Sequence, residues 1–306
     1  MAVFDPKAAT RAPPRRVRIA IRRYDPEKGR SWWQEYEIET YRGMTVLDAL
    51  LKIKEEVDHT IVLRYSCRMA VCGSCGMVIN GTPRLACQTQ LSEVASEARP
   101  IVKIEPMYNF KVVRDLLVDF TEFFEKHRRV KPYLIRRDRE EQENPEYEYR
   151  LLPEEYADFY QYSLCIACGL CVAACPVFAS DTRFLGPQAL SQAYRFVVDP
   201  RDEGWAERLE IVDSEDGVFG CHLAASCSAV CPKEVDPGAA IQRLRSMLIR
   251  YRLGLFKKKV SGPVGPLEKK AERKPLPPEA ETLPGVDLER LEDEKVAIPV
   301  EKLISG

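Results

Sequence analysis

Val17, Ile19 and Ile21 alternate with polar residues, residues 26–29 supply a turn around Pro26 and Gly29, and Tyr36, Ile38 and Thr40 alternate again. A period of two on both sides of a turn predicts a β-hairpin. Thr45 with Asp48 three residues on has the pattern of a helix N-terminus, and Leu47, Leu50 and Leu51 give that helix one apolar face. Past a cysteine-bearing loop, residues 77–79 and 101–104 are short apolar runs of strand length, and Asn80-Gly81 is a strong turn signal between the first of them and Cys87. Strand pair, helix, loop and returning strands suit a β-grasp domain ending near Pro106. From Arg114 the period lengthens, with Leu116, Leu117, Phe120, Phe123 and Phe124 at helical spacing, a stripe read as core. Residues 136–155 mix charge with tyrosine and read as a solvated connection. Further helices are expected over 156–164, 187–198 and 237–251. Beyond Lys257, Pro263, Pro266, Pro275, Pro277, Pro278, Pro284 and Pro299 interrupt a charged stretch with little periodicity, which reads as a tail, extended or disordered unless a partner orders it. The expected class is α+β, with a β-grasp domain over 1–110, an all-α domain over 111–256 and a tail over 257–306.

The 306 residues suffice for two cores. Lysine and arginine number 46 against 47 acidic residues, so nothing suggests a nucleic acid as partner. The first residues contain no apolar signal core, and Arg15-Arg16 runs directly into a strand-like segment, so secretion is not expected. Residues 112–124 come nearest to a membrane span but are broken by Arg114, Asp115, Asp119 and Glu122. Any membrane role is therefore expected to come through partners.

Eleven cysteines change the picture. Cys67, Cys72, Cys75 and Cys87 have the C-x4-C-x2-C spacing and distant fourth cysteine of a plant-type [2Fe-2S] site. Cys165, Cys168, Cys171 and Cys175 form the bacterial ferredoxin run C-x2-C-x2-C-x3-C-P, whose fourth cysteine serves the other cluster of a pair. The second run is Cys221, Cys227 and Cys231, with Ala224 where its second cysteine belongs. Exchanging the last cysteine of each run assembles Cys165, Cys168, Cys171 and Cys231 for a [4Fe-4S] cluster, and leaves Cys175, Cys221 and Cys227 for a cubane lacking one corner, [3Fe-4S]. Structural zinc is the competing reading, but the first ferredoxin run crowds more thiols than one tetrahedral ion uses. A disulfide framework suits neither the odd count nor the length. Gly73, Gly76 and Gly169 would let backbone amides approach sulfur, while Arg64 and Arg68 flank the first cysteine and could offset a negative cluster.

These spacings, the run Arg64-Tyr65-Ser66-Cys67-Arg68, Met107-Tyr108, Gly186-Pro187, Tyr194-Arg195, and Cys231-Pro232-Lys233 followed by Asp236-Pro237, closely resemble the iron–sulfur subunit of succinate dehydrogenase and fumarate reductase. The resemblance covers about residues 15–255. It implies a β-grasp [2Fe-2S] ferredoxin domain followed by an α-helical ferredoxin domain. It also implies an electron relay between a flavoprotein partner, which carries FAD and handles succinate or fumarate, and a quinone at membrane anchor subunits. Such a subunit would lie peripherally at the cytoplasmic face of the inner membrane, with no catalytic residue of its own. The chain's lack of a G-x-G-x-x-G fingerprint agrees. A related dehydrogenase subunit, of the thiol-driven fumarate reductase or glycerol-3-phosphate dehydrogenase type, is the alternative, although no cysteine follows Cys231. By resemblance Pro176, His222, Gln242 and Arg245 would approach the quinone, with a surface imidazole and an exposed helix face as the competing readings. His59 and His127 read as solvated. Ubiquinone-using members carry a tryptophan after the position of Cys175; Phe178-Ala179-Ser180-Asp181 stand here, which moves the expectation toward menaquinone.

Overall fold

A computed structural model describes residues 13–139, 143, 147–149, 151–262 and 264–266. Val17, Ile19 and Ile21 point inward from β1 (Arg16–Asp25), all with no exposed surface. β1 pairs antiparallel with β2 (Arg30–Glu39), from Arg16 opposite Glu39 to Asp25 opposite Arg30, closing the expected hairpin. The chain crosses through α1 (Val46–Glu56). Thr45 Oγ1 accepts from the Asp48 amide at 3.1 Å while the Asp48 carboxylate accepts from the Thr45 amide at 2.9 Å, a reciprocal cap that satisfies two otherwise orphaned donors. β3 (Gly76–Ile79) turns at Asn80-Gly81 into β4 (Thr82–Leu85), and a short helix, α2 (Leu91–Val94), leads to β5 (Ile101–Glu105). The sheet order is β2-β1-β5-β3-β4, with β1 and β5 parallel and the other neighbours antiparallel. A parallel central pair bridged by a helix, with hairpins on both sides, is the β-grasp arrangement.

Arg23 continues the inward row of β1 and is only 5 % exposed. It survives there because each guanidinium nitrogen finds an acceptor: Nε reaches Asp115 Oδ1 at 2.9 Å, one terminal nitrogen reaches Asp58 Oδ2 at 2.8 Å and Tyr36 Oη at 3.1 Å, and the other reaches Thr60 Oγ1 at 3.0 Å. Asp115 also accepts from the amides of Tyr24 and Val62. This explains a departure from the sequence pattern. Residues from Arg114 do not begin a helix but form a small hairpin, β6 (Val112–Arg114) and β7 (Leu117–Val118), because Asp115, at φ 48°, is pinned into the first domain. The helix starts at Thr121 as α3 (Thr121–Arg129). The hairpin packs on β1, so the first domain runs past the boundary expected at 110.

β8 (Tyr147–Glu148) precedes α4 (Pro153–Ser163). Two short helices, α5 (Leu170–Ala173) and α6 (Pro176–Ser180), carry the first ferredoxin run. α7 (Pro187–Val198) is buried on nearly every side and is enclosed by α3, α4, α8 (Trp205–Val212) and α10 (Pro237–Arg252). α9 (Ser226–Ala229) carries part of the second run and packs against α5. After α10 the chain returns over this domain. Lys258 Nζ donates to the Asp199 carbonyl at 2.5 Å, the Ser261 amide donates to the Pro200 carbonyl at 2.7 Å, and β9 (Val264–Pro266) pairs with β8. The beginning of the expected tail is thus seated on the α-helical domain; 267–306 lie outside the described residues, as do 1–12.

Candidate metal centres

The loop carrying Cys67, Cys72 and Cys75 contains no regular element, and its backbone amides turn toward sulfur. Met69, Val71 and Cys72 donate to Cys67 Sγ at 3.4, 3.3 and 3.2 Å, Cys67 and Ser74 donate to Cys72 Sγ at 3.5 and 3.4 Å, Ala70 donates to Cys87 Sγ at 3.3 Å, and Cys87 donates to Cys75 Sγ at 3.5 Å. Arg68 and Ala70 take the left-handed conformation, as do Ala167, Leu223 and Ala225 in the other cysteine loops, at φ from 51° to 58°. Such residues are costly for a side chain bearing a Cβ, by roughly 1–3 kcal/mol each. Alternating right- and left-handed backbone gathers successive N–H groups into an anion-binding concavity. Burial pushes the Cys75 thiol up to about 12, whereas at Cys72 the hydrogen bonds from Ser74 and the Cys67 amide outweigh burial and bring it to about 6. Arg64 is half-buried, its Nε donating to the Ser74 carbonyl at 3.4 Å and its guanidinium lying 4.1 Å from the Phe120 ring centre, so it braces the loop as well as adding charge. Arg68 lies over Tyr65.

In the α-helical domain the two cysteine runs interleave. Cys165, Cys168, Cys171 and Cys231 line one cavity, together with Gln188 and Ser191. Cys175, Cys221 and Cys227 line a second, of about 340 Å³, with Ala224 in its wall. The helical repeat does the sorting: α5 carries Cys171 on one side, and Cys175, past its end, caps α6 and accepts from the Phe178 amide at 3.5 Å. On the other run Leu223 donates to Cys221 Sγ at 3.4 Å and Val235 donates to Cys231 Sγ at 3.3 Å. Burial pushes the Cys168 thiol up to about 12, Cys227 up to about 11, and Cys171 well above the usual thiol range. These thiols are protonated unless a cation compensates, so metal binding would release protons. Amides aimed at sulfur, paired cavities ringed by thiols and a donor set made of cysteine fit iron–sulfur clusters. Among the described residues, no three His, Cys, Asp or Glu side chains are close enough to share a single ion.

The first thiol set abuts the second. A Cβ on Gly73, at φ 73°, would stand 2.7 Å from Cys168 Cβ and 2.9 Å from Cys168 Cα, so the first loop rests directly on the second set. Gly169 is equally confined, 2.9 Å from Phe110 and 3.1 Å from Phe120 by the same construction. Asn109 joins the domains, its Nδ2 donating to the carbonyls of Val172 at 2.8 Å and Cys175 at 3.1 Å.

Pro176, His222 and Gln242 line the cavity of Cys175, Cys221 and Cys227. Arg245 does not: its guanidinium donates to the carbonyls of Val218 at 3.0 Å and Cys221 at 2.8 Å, bracing the loop instead. His59 is exposed, as its sequence context suggests. His127 is half-buried rather than fully solvated: its Nδ1 lies 3.0 Å from Gln188 Nε2 and burial lowers its pKa. The residues missed by pattern are Asn109, Gln188 and Ser191. The last two were detectable in principle as polar residues three apart in a helix otherwise rich in apolar positions.

Residues 18–125 match the family described as a 2Fe-2S iron-sulfur cluster binding domain, and residues 161–235 match the 4Fe-4S dicluster domain family. The chain is 45% identical over 231 residues to a fumarate reductase iron-sulfur subunit of Mycobacterium tuberculosis (strain CDC 1551 / Oshkosh), covering 75% of this chain and 92% of that one. A subunit of the same name from Escherichia coli O6:H1 is 41% identical over 228 residues, covering 74% and 91%. Among solved structures, a chain of the Mycobacterium smegmatis Sdh1 complex in the apo form superposes with a TM-score of 0.70 at 25% identity, covering 78% of this chain and 97% of that one.

Proposed function

The chain belongs to the iron–sulfur subunits of fumarate reductase and succinate dehydrogenase, and from that premise we propose how its residues serve electron transfer between a flavoprotein and a membrane quinone. Cys67, Cys72, Cys75 and Cys87 hold [2Fe-2S]; Cys165, Cys168, Cys171 and Cys231 hold [4Fe-4S]; Cys175, Cys221 and Cys227 hold [3Fe-4S]. When bound, these groups accept and release single electrons. The chain's part is to fix their order and environment. The backbone contact at Gly73 keeps the first and second thiol sets close, and the shared helices α5 and α9 keep the second and third close. Amides aimed at sulfur favour the more negative state, and the buried walls exclude water.

Substrate chemistry belongs to the FAD-bearing flavoprotein, which meets the first loop, where Met69 and Val71 are exposed. Pro176, His222 and Gln242 receive the quinone headgroup at the third site, and Arg245 positions the loop that carries Cys221. The loop after Cys175, with Phe178-Ala179-Ser180-Asp181 and no tryptophan, favours menaquinone. Leu223 and Phe219, exposed apolar residues beside this site, suit contact with membrane anchor subunits, which would hold the chain peripherally at the cytoplasmic face. Among the described residues no helix is long and apolar enough to cross a membrane.

The observation that carries the reading is the interleaving of the two runs, with Cys231 among Cys165, Cys168 and Cys171 and with Ala224 in the wall of the three-thiol cavity. Low-temperature EPR with iron and zinc analysis on the anaerobically purified complex tests it. The expected result is a nearly isotropic three-iron signal when oxidised, replaced on reduction by signals of the other two centres. Zinc, or two four-iron centres without a three-iron one, would overturn it.

A further inference from the structure

α7 is buried on nearly every side, so polar groups on it need partners inside the protein. Gln192 has one, its Nε2 donating to the Tyr162 carbonyl at 3.0 Å. Ser191 has none: its side chain is fully buried and Oγ finds no hydrogen-bond partner among the protein atoms. Serine within a helix commonly returns its hydroxyl to the carbonyl one turn back, which Ser191 does not do. Gln188, three residues earlier and 3 % exposed, shares that face, as i,i+3 positions do. Its Nε2 lies 3.0 Å from His127 Nδ1 and 3.9 Å from Cys165 Sγ. Both side chains line the cavity of Cys165, Cys168, Cys171 and Cys231. A buried hydroxyl without an acceptor costs roughly 1–3 kcal/mol, so its retention calls for an acceptor beyond the polypeptide.

We propose that Gln188 and Ser191 are hydrogen-bond donors to the middle, four-thiolate centre and set its reduction potential. This rests on the [4Fe-4S] assignment made above. Four thiolates with inorganic sulfide form the anionic acceptor that Ser191 lacks within the chain. A donor aimed at that acceptor stabilises the reduced, more negative state and raises the potential. His127 contributes by orientation: a ring nitrogen accepting from Gln188 Nε2 fixes the amide with its nitrogen toward Cys165.

The test is an EPR-monitored redox titration of the assembled complex carrying Ser191→Ala, Ser191→Thr or Gln188→Leu. Ser191→Ala and Gln188→Leu are expected to shift the four-iron reduction equilibrium about tenfold toward the oxidised form, about 59 mV more negative for one electron. Ser191→Thr, which keeps the hydroxyl, should restore the original potential. The [2Fe-2S] and three-iron potentials should stay where they are, which a general loosening of the fold would not produce. Should Gln188→Leu fail to take up iron, Ser191→Ala, lacking only one oxygen, decides alone. A four-iron signal with one unchanged potential in the alanine and unsubstituted proteins overturns this inference while leaving the cluster assignment intact. Absence of any four-iron signal from the unsubstituted protein overturns both.

Discussion

At the scale of single residues, cluster chemistry is legible because iron ligation depends on side-chain identity and short spacing. Ala224 shows how far one position reaches. It stands in the cavity wall where a fourth thiol would stand. Ala224→Cys is expected to recruit a fourth iron, lower that centre's potential and slow quinone reduction; a persisting three-iron EPR signal would mean that the second run is aligned wrongly. Gly73→Ala should cost about 1–3 kcal/mol, read from the denaturation midpoint, because the residue has φ 73° and its new methyl would enter Cys168. His127 supplies a pH dependence. Burial holds its folded pKa below the ordinary 6.5. The folded state therefore binds fewer protons than the unfolded chain, so the contribution is present above pH 6.5 and is lost as pH falls toward the folded value. Urea unfolding at pH 7.5 and 5.5 should show a smaller acid loss for His127→Gln than for the unsubstituted chain. Nothing local distinguishes His127 from a solvated histidine; its partner is 61 residues away.

Elements were predicted where a periodic run decides its own structure. The first hairpin, the cap at Thr45 and the helix over 187–198 rest on contacts within the run or between neighbours. The stripe from Leu116 to Phe124 was misread over its first residues because its spacing also suits a hairpin followed by a helix, and only Asp115 bonding to Arg23, Tyr24 and Val62 chooses between them. Asp115→Ala should destabilise the protein by about 3–5 kcal/mol, since it removes one acceptor from a buried guanidinium, and calorimetry on the complex can read the loss. At α10 the cap and the third site share a residue. Asp236 accepts from the Ala239 amide at 3.1 Å and from Ser228 Oγ at 2.6 Å, beside Cys227. Asp236→Ala is expected to cost about 1 kcal/mol of stability and to broaden the three-iron signal.

For the whole molecule, the decisive arrangement is the contact between two domains of different architecture. Gly73 on Cys168 and Asn109 on the carbonyls of Val172 and Cys175 bring cysteine loops far apart in sequence together. The chain after α10 supports the same domain. Lys258 and Ser261 bond to the backbone of Asp199 and Pro200, and Arg136 donates to the Ser261 carbonyl at 3.0 Å. Truncation after Phe256 should therefore lower stability by about 1–3 kcal/mol relative to truncation after Pro266, measured by thermal unfolding of the assembled complex. Low periodicity and high proline content concealed this packing, because those hydrogen bonds are made by backbone and by one lysine and one arginine whose partners are carbonyls.

The family resemblance and the functional class follow from the sequence alone, and the comparisons with relatives agree with both. The proposed ligand sets were also written from it, as were most elements, since cysteine spacing and hydrophobic period are properties of short stretches. Tertiary structure alone decided that Arg245 braces a loop rather than lining the third cavity, that Asp115 extends the first domain, and that Gln188 and Ser191 face the middle set of thiols. Each of these depends on which distant groups surround a buried polar side chain. Desolvation makes such a group's partner decisive, and no local pattern names that partner.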